Sequence, residues 1–230
     1  MQVIDFHTHQ IKEPENTQIL NILAQDLLPE EPACLFSTGL HPWHIGKVDP
    51  EQCFQAINRA AQQKNMLAIG ECGLDRSIVA NFALQERCFE QQIKIAENHH
   101  KPLIIHCVRA YSDLLKFKKA SNSGLPWIIH GYYGNLGTTL SLMKHKFYFS
   151  VGEQLLNDKS KISVLRSIPI NRLFLETDES KLSIATIYTM ASQILEIDEK
   201  ELIQVIASNF KTIFREDPLQ ASTLYTPVSA

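Results

Sequence analysis

The 230-residue chain has no apolar run approaching the roughly 20 residues of a membrane-spanning helix. It also has no internal repeat, no low-complexity tract and no linker rich in Pro, Gly or Ser. One domain over residues 1–230 is therefore the expectation, and a chain of this length can bury a large core without staples. A composition 44% hydrophobic and 20% charged excludes disordered and collagen-like classes. Cys34, Cys53, Cys72, Cys88 and Cys107 are odd in number and never spaced C-x-x-C, which argues against a disulfide framework or a thiolate zinc site. Reduced, buried thiols are expected instead. Positive charge is not in excess either: 22 Lys+Arg against 25 Asp+Glu give a net charge of -3. No global basic field draws in nucleic acid, and any polyanion must be held by local charge or by metal. Met1-Gln2-Val3-Ile4-Asp5 lacks a basic region, an apolar stretch and a small-residue cleavage site, so a cytoplasmic protein is expected.

What is present is alternation. Short, nearly continuous apolar runs stand at Val3–Phe6, Cys34–Ser37, Met66–Ile69, Pro102–Ile105, Trp127–Ile129, Phe147–Val151 and Arg172–Leu175. Strands buried on both faces of a parallel sheet read this way. Between them, Gln52–Gln63, Asn81–His99, Ser112–Ala120, Leu136–Lys144, Lys159–Ser167, Ile184–Leu195 and Glu199–Phe214 carry apolar residues at helical spacing. Such β/α units build a doubly wound sheet or a closed barrel. The stretch Gln18–Leu23 reads as helix or strand, with strand favoured. An eighth strand closes a barrel, but its outer helices are then shortened or missing near strands 2 and 3.

The residues with metal-ligand character lie at or just past the C-terminal ends of these runs: His7 and His9, Glu71, His106, His130, and Glu176-Thr177-Asp178. Parallel α/β folds place their active sites there. His7 and His9 are two apart, which in a strand aims both imidazoles to one side. H-x-H alone is a weak signal; joined to four further ligand-type residues on separate strand ends it becomes a strong one. Four imidazoles and two carboxylates exceed the needs of one tetrahedral zinc and suit two divalent ions. Such a pair activates water and offsets the charge of an ester or phosphoester, so hydrolysis is the reaction class suggested.

The ordered series Asp5-Phe6-His7-Thr8-His9, Gly39-Leu40-His41-Pro42, Ile69-Gly70-Glu71-Cys72-Gly73-Leu74-Asp75, Ile105-His106, Ile129-His130 with Gly134, Glu176-Thr177-Asp178 and Asn209–Phe214 resembles the TatD-like metal-dependent hydrolases of the amidohydrolase superfamily over nearly the whole chain. The resemblance implies a TIM (β/α) barrel. It implies a first metal on His7, His9 and Asp178, with Glu71 bridging to a second on His106 and His130, and it gives Asp178 the further task of orienting or deprotonating the attacking water. The ions would be Mg, Mn or Zn. Departures fall at the substrate mouth: His106-Cys107-Val108-Arg109 shifts an arginine by one position, Glu179-Ser180 replaces a Pro-containing turn, Arg76 stands where an aromatic is frequent, and the segment after His9 is short.

His41 and Arg109 are candidate substrate contacts, and His44 a weaker one. Glu153 reads as a loop charge, and Glu176 is expected to face away from Asp178. Trp43, Tyr132 and Tyr133 are candidate base-stacking aromatics. The implied function is a deoxyribonuclease, with DNA as substrate rather than stable partner and no membrane association; loops near Glu13–Gln18 and Leu27–Ala33, or else a second subunit, must cover the strand at Gln18–Leu23, and the local apolar residues favour the loops and a monomer. The alternatives are hydrolysis of another ester or amide, such as an aminoacyl-tRNA, and a non-catalytic metal-binding scaffold.

Overall fold

A computed structural model describes residues 3–26, 34–121 and 123–215. Eight strands, β1 (Ile4–Thr8), β2 (Thr17–Leu23), β3 (Phe36–Gly39), β4 (Met66–Asp75), β5 (Leu103–Val108), β6 (Trp127–Ile129), β7 (Tyr148–Val151) and β8 (Leu173–Leu175), form one sheet in the order β1 to β8. The pairings run parallel, and a bridge between Thr8 and Asp178 ties the end of β8 to β1. This is a TIM barrel, one of the two folds the alternation allowed and the one the family resemblance implied. Gln18–Leu23 falls within β2 and is strand.

The helices are α1 (Pro50–Ala60), α2 (Phe82–His99), α3 (Tyr111–Ala120), α4 (Leu136–Lys144), α5 (Glu153–Asn157), α6 (Ile162–Ser167), α7 (Ile184–Leu195) and α8 (Glu199–Phe214). Their starts follow capping chemistry: Asp49, Asn81, Asn135, Ser183 and Asp198 each accept a backbone N–H from the first turn. Among the described residues no helix joins β1 to β2 or lies between β2 and β3. The expected cover from Leu27, Leu28 and the 27–33 loop lies outside the described residues. Ile19 of β2 is fully buried.

The described residues divide into two compact units, one within Met1–Leu20, Ala33–Leu35 and His130–Ala230, the other within Asn21–Pro32 and Phe36–Ile129. In the first, Phe6 stacks on Phe174 at 4.2 Å, the Tyr188 hydroxyl donates to Ile4 O, and Asn209 donates to Leu173 O. In the second, β4 pairs with β3 and β5, and its close approach to β5 explains two glycines. Gly70 and Gly73 have φ of 153° and 142°, and a Cβ there would meet Ile104 O at 2.3 Å and His106 O at 2.0 Å. Gly70 and Gly73, which bracket Glu71 and Cys72, are thus a packing requirement of the strand that presents Glu71. Of the five cysteines expected to be buried, Cys53, Cys72, Cys88 and Cys107 are, whereas Cys34 is half-buried; burial pushes the Cys72 and Cys107 thiols well up.

Candidate metal centre

Within the unit of Phe36–Ile129, Glu71 on β4 is 4% exposed. Its Oε1 lies 3.0 Å from His41 Nε2 and 3.2 Å from His106 Nδ1. These three side chains converge closely enough to hold an ion. Asn21 fixes the carboxylate, donating to Glu71 Oε2 at 3.2 Å and accepting the Glu71 N–H at 3.1 Å. The other His106 nitrogen, Nε2, lies 3.1 Å from Asp75 Oδ2, so Asp75 orients the ring and selects its tautomer. Asp75 is buried, which alone would raise its carboxyl; hydrogen bonds from His106, Ser77 and Trp43 outweigh this and hold it well below the usual carboxylate range.

Two glutamines of α2 secure the backbones that carry these residues. Gln92 accepts from Leu40 N at 2.7 Å and donates to Leu40 O, next to His41. Gln85 does the same for Asp75, at 2.8 and 3.0 Å. Both are fully or almost fully buried, and a buried amide of this kind is tolerated because each polar atom is matched.

Within the other unit, His7 is fully buried, and its ring lies 5.3 Å from His9 and 4.3 Å from His130. Asp178 Oδ1 is 3.3 Å from His9 Nε2 and 3.9 Å from His7 Nε2, and the Asp178 side chain is 38% exposed. Asp178 adopts a left-handed φ of 52°, a conformation uncommon for a residue with a side chain and concentrated at functional sites. Asp178 N donates to His7 O at 2.9 Å, which holds that turn against β1. Beneath it, Asp5 accepts from Thr177 N at 2.8 Å and from Thr177 Oγ1 at 2.6 Å. Burial pushes the Asp5 carboxyl up to about 7 even against these bonds.

His130, Glu176 and Asp178 form a second converging group in this unit. Glu176 was expected to face away, by strand alternation. The strand ends at Leu175, so alternation no longer applies, and Glu176 Oε1 lies 3.7 Å from His130 Nδ1 while accepting from Gly131 N. Its Oε2 is buried and has no hydrogen-bond partner among the described residues. A buried carboxylate oxygen left in this state, among imidazoles, fits a cation. A cavity of about 280 Å³ opens there, with Glu153, Glu176, Asp178 and Glu179 on its wall. A cleft of about 400 Å³ is lined by His9, Gln10, Lys12, Asp178, Glu179 and Lys181.

Each expected ligand thus stands in one of these clusters. His41, a candidate substrate contact, meets Glu71 Oε1 in the cluster already described. Arg109 is exposed, with φ of 53°. His44 meets Gln25 at 2.9 Å. Glu153 begins α5 rather than sitting in a loop. Tyr132 is not a stacking surface: it is buried against Phe149, with its hydroxyl on Thr139. Asn21, Asp75, Gln85, Gln92 and Thr177 were missed as supporting residues. Polar side chains on the core stripe of α2, at Gln85 and seven positions on at Gln92, were the readable signal.

A TIM barrel whose strand ends gather histidines and carboxylates into ion-sized clusters defines a metal-dependent hydrolase. The chain belongs to the TatD related DNase family, whose model matches residues 3–215. It is 28% identical to an uncharacterized metal-dependent hydrolase of Buchnera aphidicola, over 78% of this chain and 76% of that one. It is also 28% identical to the 3'-5' ssDNA/RNA exonuclease TatD of Escherichia coli, over 67% of this chain and 61% of that protein. The crystal structure of YJJV, a TatD homolog from Escherichia coli, superimposes with a TM-score of 0.81 at 20% identity, covering 93% of this chain and 98% of that one. Among the described residues no helix is long and apolar enough to cross a membrane.

Proposed function

We propose that this enzyme hydrolyses phosphodiester bonds of single-stranded DNA with two divalent ions of Mg, Mn or Zn. The observation that carries the reading is that each unit gathers its own ion-sized cluster, His41, Glu71 and His106 in one and His7, His9 and Asp178 in the other. By the family resemblance, His130 would complete the ligand set. Ions in such sites supply charge that activates water and offsets the negative charge of the phosphodiester in the transition state.

The chain's own residues do the rest. Asp178, its carboxylate 38% exposed, accepts the proton of the attacking water at a carboxylate oxygen. The new P–O bond forms as the bond to the leaving sugar oxygen breaks, and the proton passes from Asp178 towards that oxygen or to solvent. Asn21 and Asp75 keep Glu71 and His106 from rotating away, and His41 and Arg109 are the proposed contacts to the phosphate. A single barrel domain over residues 1–230, acting as a monomer in the reducing cytoplasm, is part of the same proposal, and its buried thiols support the last point.

The test is hydrolysis by metal-reconstituted protein of single-stranded DNA, a generic phosphodiester and an aminoacyl ester, side by side. Preferred turnover of DNA is expected. Turnover of the aminoacyl ester alone would replace this reading with a deacylase, and turnover of none, with metal bound, would leave a metal-binding scaffold.

A further inference from the structure

Trp43 stands out among the large apolar side chains of the described residues: it is 51% exposed, and it is the one aromatic ring among those left in solvent. It is also fixed. The segment Pro42–His44 is a single 3-10 turn opened by a proline, with His44 N donating to His41 O at 3.0 Å. The Trp43 backbone N donates to His41 Nδ1 at 3.1 Å, and its indole Nε1 donates to Asp75 Oδ2 at 2.7 Å. The ring stands 5.0 Å from His41 and 5.9 Å from His106, nearly perpendicular to both. The indole's polar end is therefore spent on a buried carboxylate while its apolar body stays in water beside two imidazoles of the Glu71 cluster. Tryptophan is ordinarily highly buried, and holding it rigid in solvent is unfavourable unless a ligand covers it. The other aromatic candidates do not offer this surface: Tyr132 is core, and Lys161 lies over the Tyr133 ring at 4.4 Å.

We infer that Trp43 is a stacking platform for a nucleobase of the single-stranded substrate, set next to the cluster of His41, Glu71 and His106. The inference rests on the proposed hydrolysis of nucleic acid and adds to it the part of the substrate that the enzyme grips. Stacking tolerates any base, since each has a π-face, so the platform selects nucleic acid over other phosphodiesters without selecting sequence. It also supplies affinity that a chain of net charge -3 does not draw from a general basic field.

The experiment is a titration of the metal-loaded full chain with a short single-stranded oligodeoxyadenylate carrying phosphorothioate linkages, which resist turnover, and with an abasic oligomer of the same length and backbone. Trp43 and the buried Trp127 are the two tryptophans, so quenching of emission by the base-bearing oligomer and not by the abasic one is expected, and Trp43→Phe should abolish it. By anisotropy, Trp43→Leu should weaken the base-bearing oligomer by roughly 5- to 150-fold and leave the abasic one within about twofold. Trp43→Phe keeps a ring but loses the bond to Asp75, so it should stay near wild type if stacking is the role. If Trp43 merely braces Asp75 and His106, Trp43→Phe and Trp43→Leu will behave alike, both oligomers will weaken together and metal content will fall. That result, equal wild-type affinity for the two oligomers, or binding of neither, overturns the inference. Discrimination between the oligomers in a protein that cleaves no phosphodiester would instead overturn the proposed hydrolysis and leave the platform standing.

Discussion

Around Glu71, both ring nitrogens of His41 and of His106 already meet a polar partner, and Asn21 grips the carboxylate from behind. Around Asp178, the support is of another kind: the carboxylate is 38% exposed, and what holds it is backbone, the Asp178 N–H on His7 O and a left-handed turn resting on Asp5 and Thr177. One cluster is braced by side chains of a strand and a helix, the other by the seam where β8 returns to β1. A braced, closed cluster suits orientation of a ligand, whereas a carboxylate partly open to water suits proton transfer. The two are therefore expected to fail differently when altered.

The largest effect should come from the open side. Asp178→Asn should keep the fold and lower turnover by about 10² to 10⁴-fold, the usual contribution of a general base. Steady-state kinetics at saturating metal checks this, and retention of most of the wild-type rate would move proton transfer elsewhere. On the braced side, Asp75→Asn leaves every direct ligand in place, so its cost should appear as metal affinity: a loss of about 10- to 100-fold is expected for a partner that orients a ligating histidine. Kinetics at saturating metal separates the two: the Asp75→Asn rate should recover as its site fills, whereas that of Asp178→Asn should stay low.

Smaller effects sharpen the contrast in how the clusters are built. Thr177→Val removes the hydroxyl that donates to Asp5 at 2.6 Å and leaves a buried carboxylate oxygen short of a partner, which costs about 1 to 3 kcal/mol in urea unfolding. Catalysis per folded molecule should change little if the backbone seam still holds. Least affected should be Arg109→Ala. An exposed guanidinium that meets substrate phosphate alters binding alone, so KM should rise by roughly 5-fold with kcat unchanged, since a charged hydrogen bond at an exposed site is worth on the order of 1 kcal/mol.

The clustering of His7, His9, Glu71, His106, His130 and Asp178 was legible because ligand-type residues stand where short apolar runs stop; the alternation of those runs with helical periodicity left a doubly wound sheet and a barrel open, and the family resemblance pointed to the barrel. Ile184–Leu195 and Glu199–Phe214 match the observed α7 and α8 to the residue. The strand expected at Cys34–Ser37 is observed two residues later, at Phe36–Gly39, because Ser37, Thr38 and Gly39 are buried in the sheet although they do not read as apolar. Likewise β4 runs on to Asp75, through a Gly-Glu-Cys-Gly segment whose composition suggests a turn; the glycines there serve close strand packing. The five-residue α5 is too short for a helical period to register. The residues that brace the clusters are hardest to read, since Asn21 and Asp75 differ from any other polar residue only in what the fold sets beside them.

Metal stoichiometry tests the central claim, that each cluster holds its own divalent ion, more directly than any assay of turnover. Metal analysis of gently purified protein should approach about two ions per chain, the number a paired hydrolytic centre needs, and His9→Ala and His106→Ala should each lose one while the protein stays folded. One tightly held ion per wild-type chain, with full activity and no gain on adding Mg, Mn or Zn, would contradict the account.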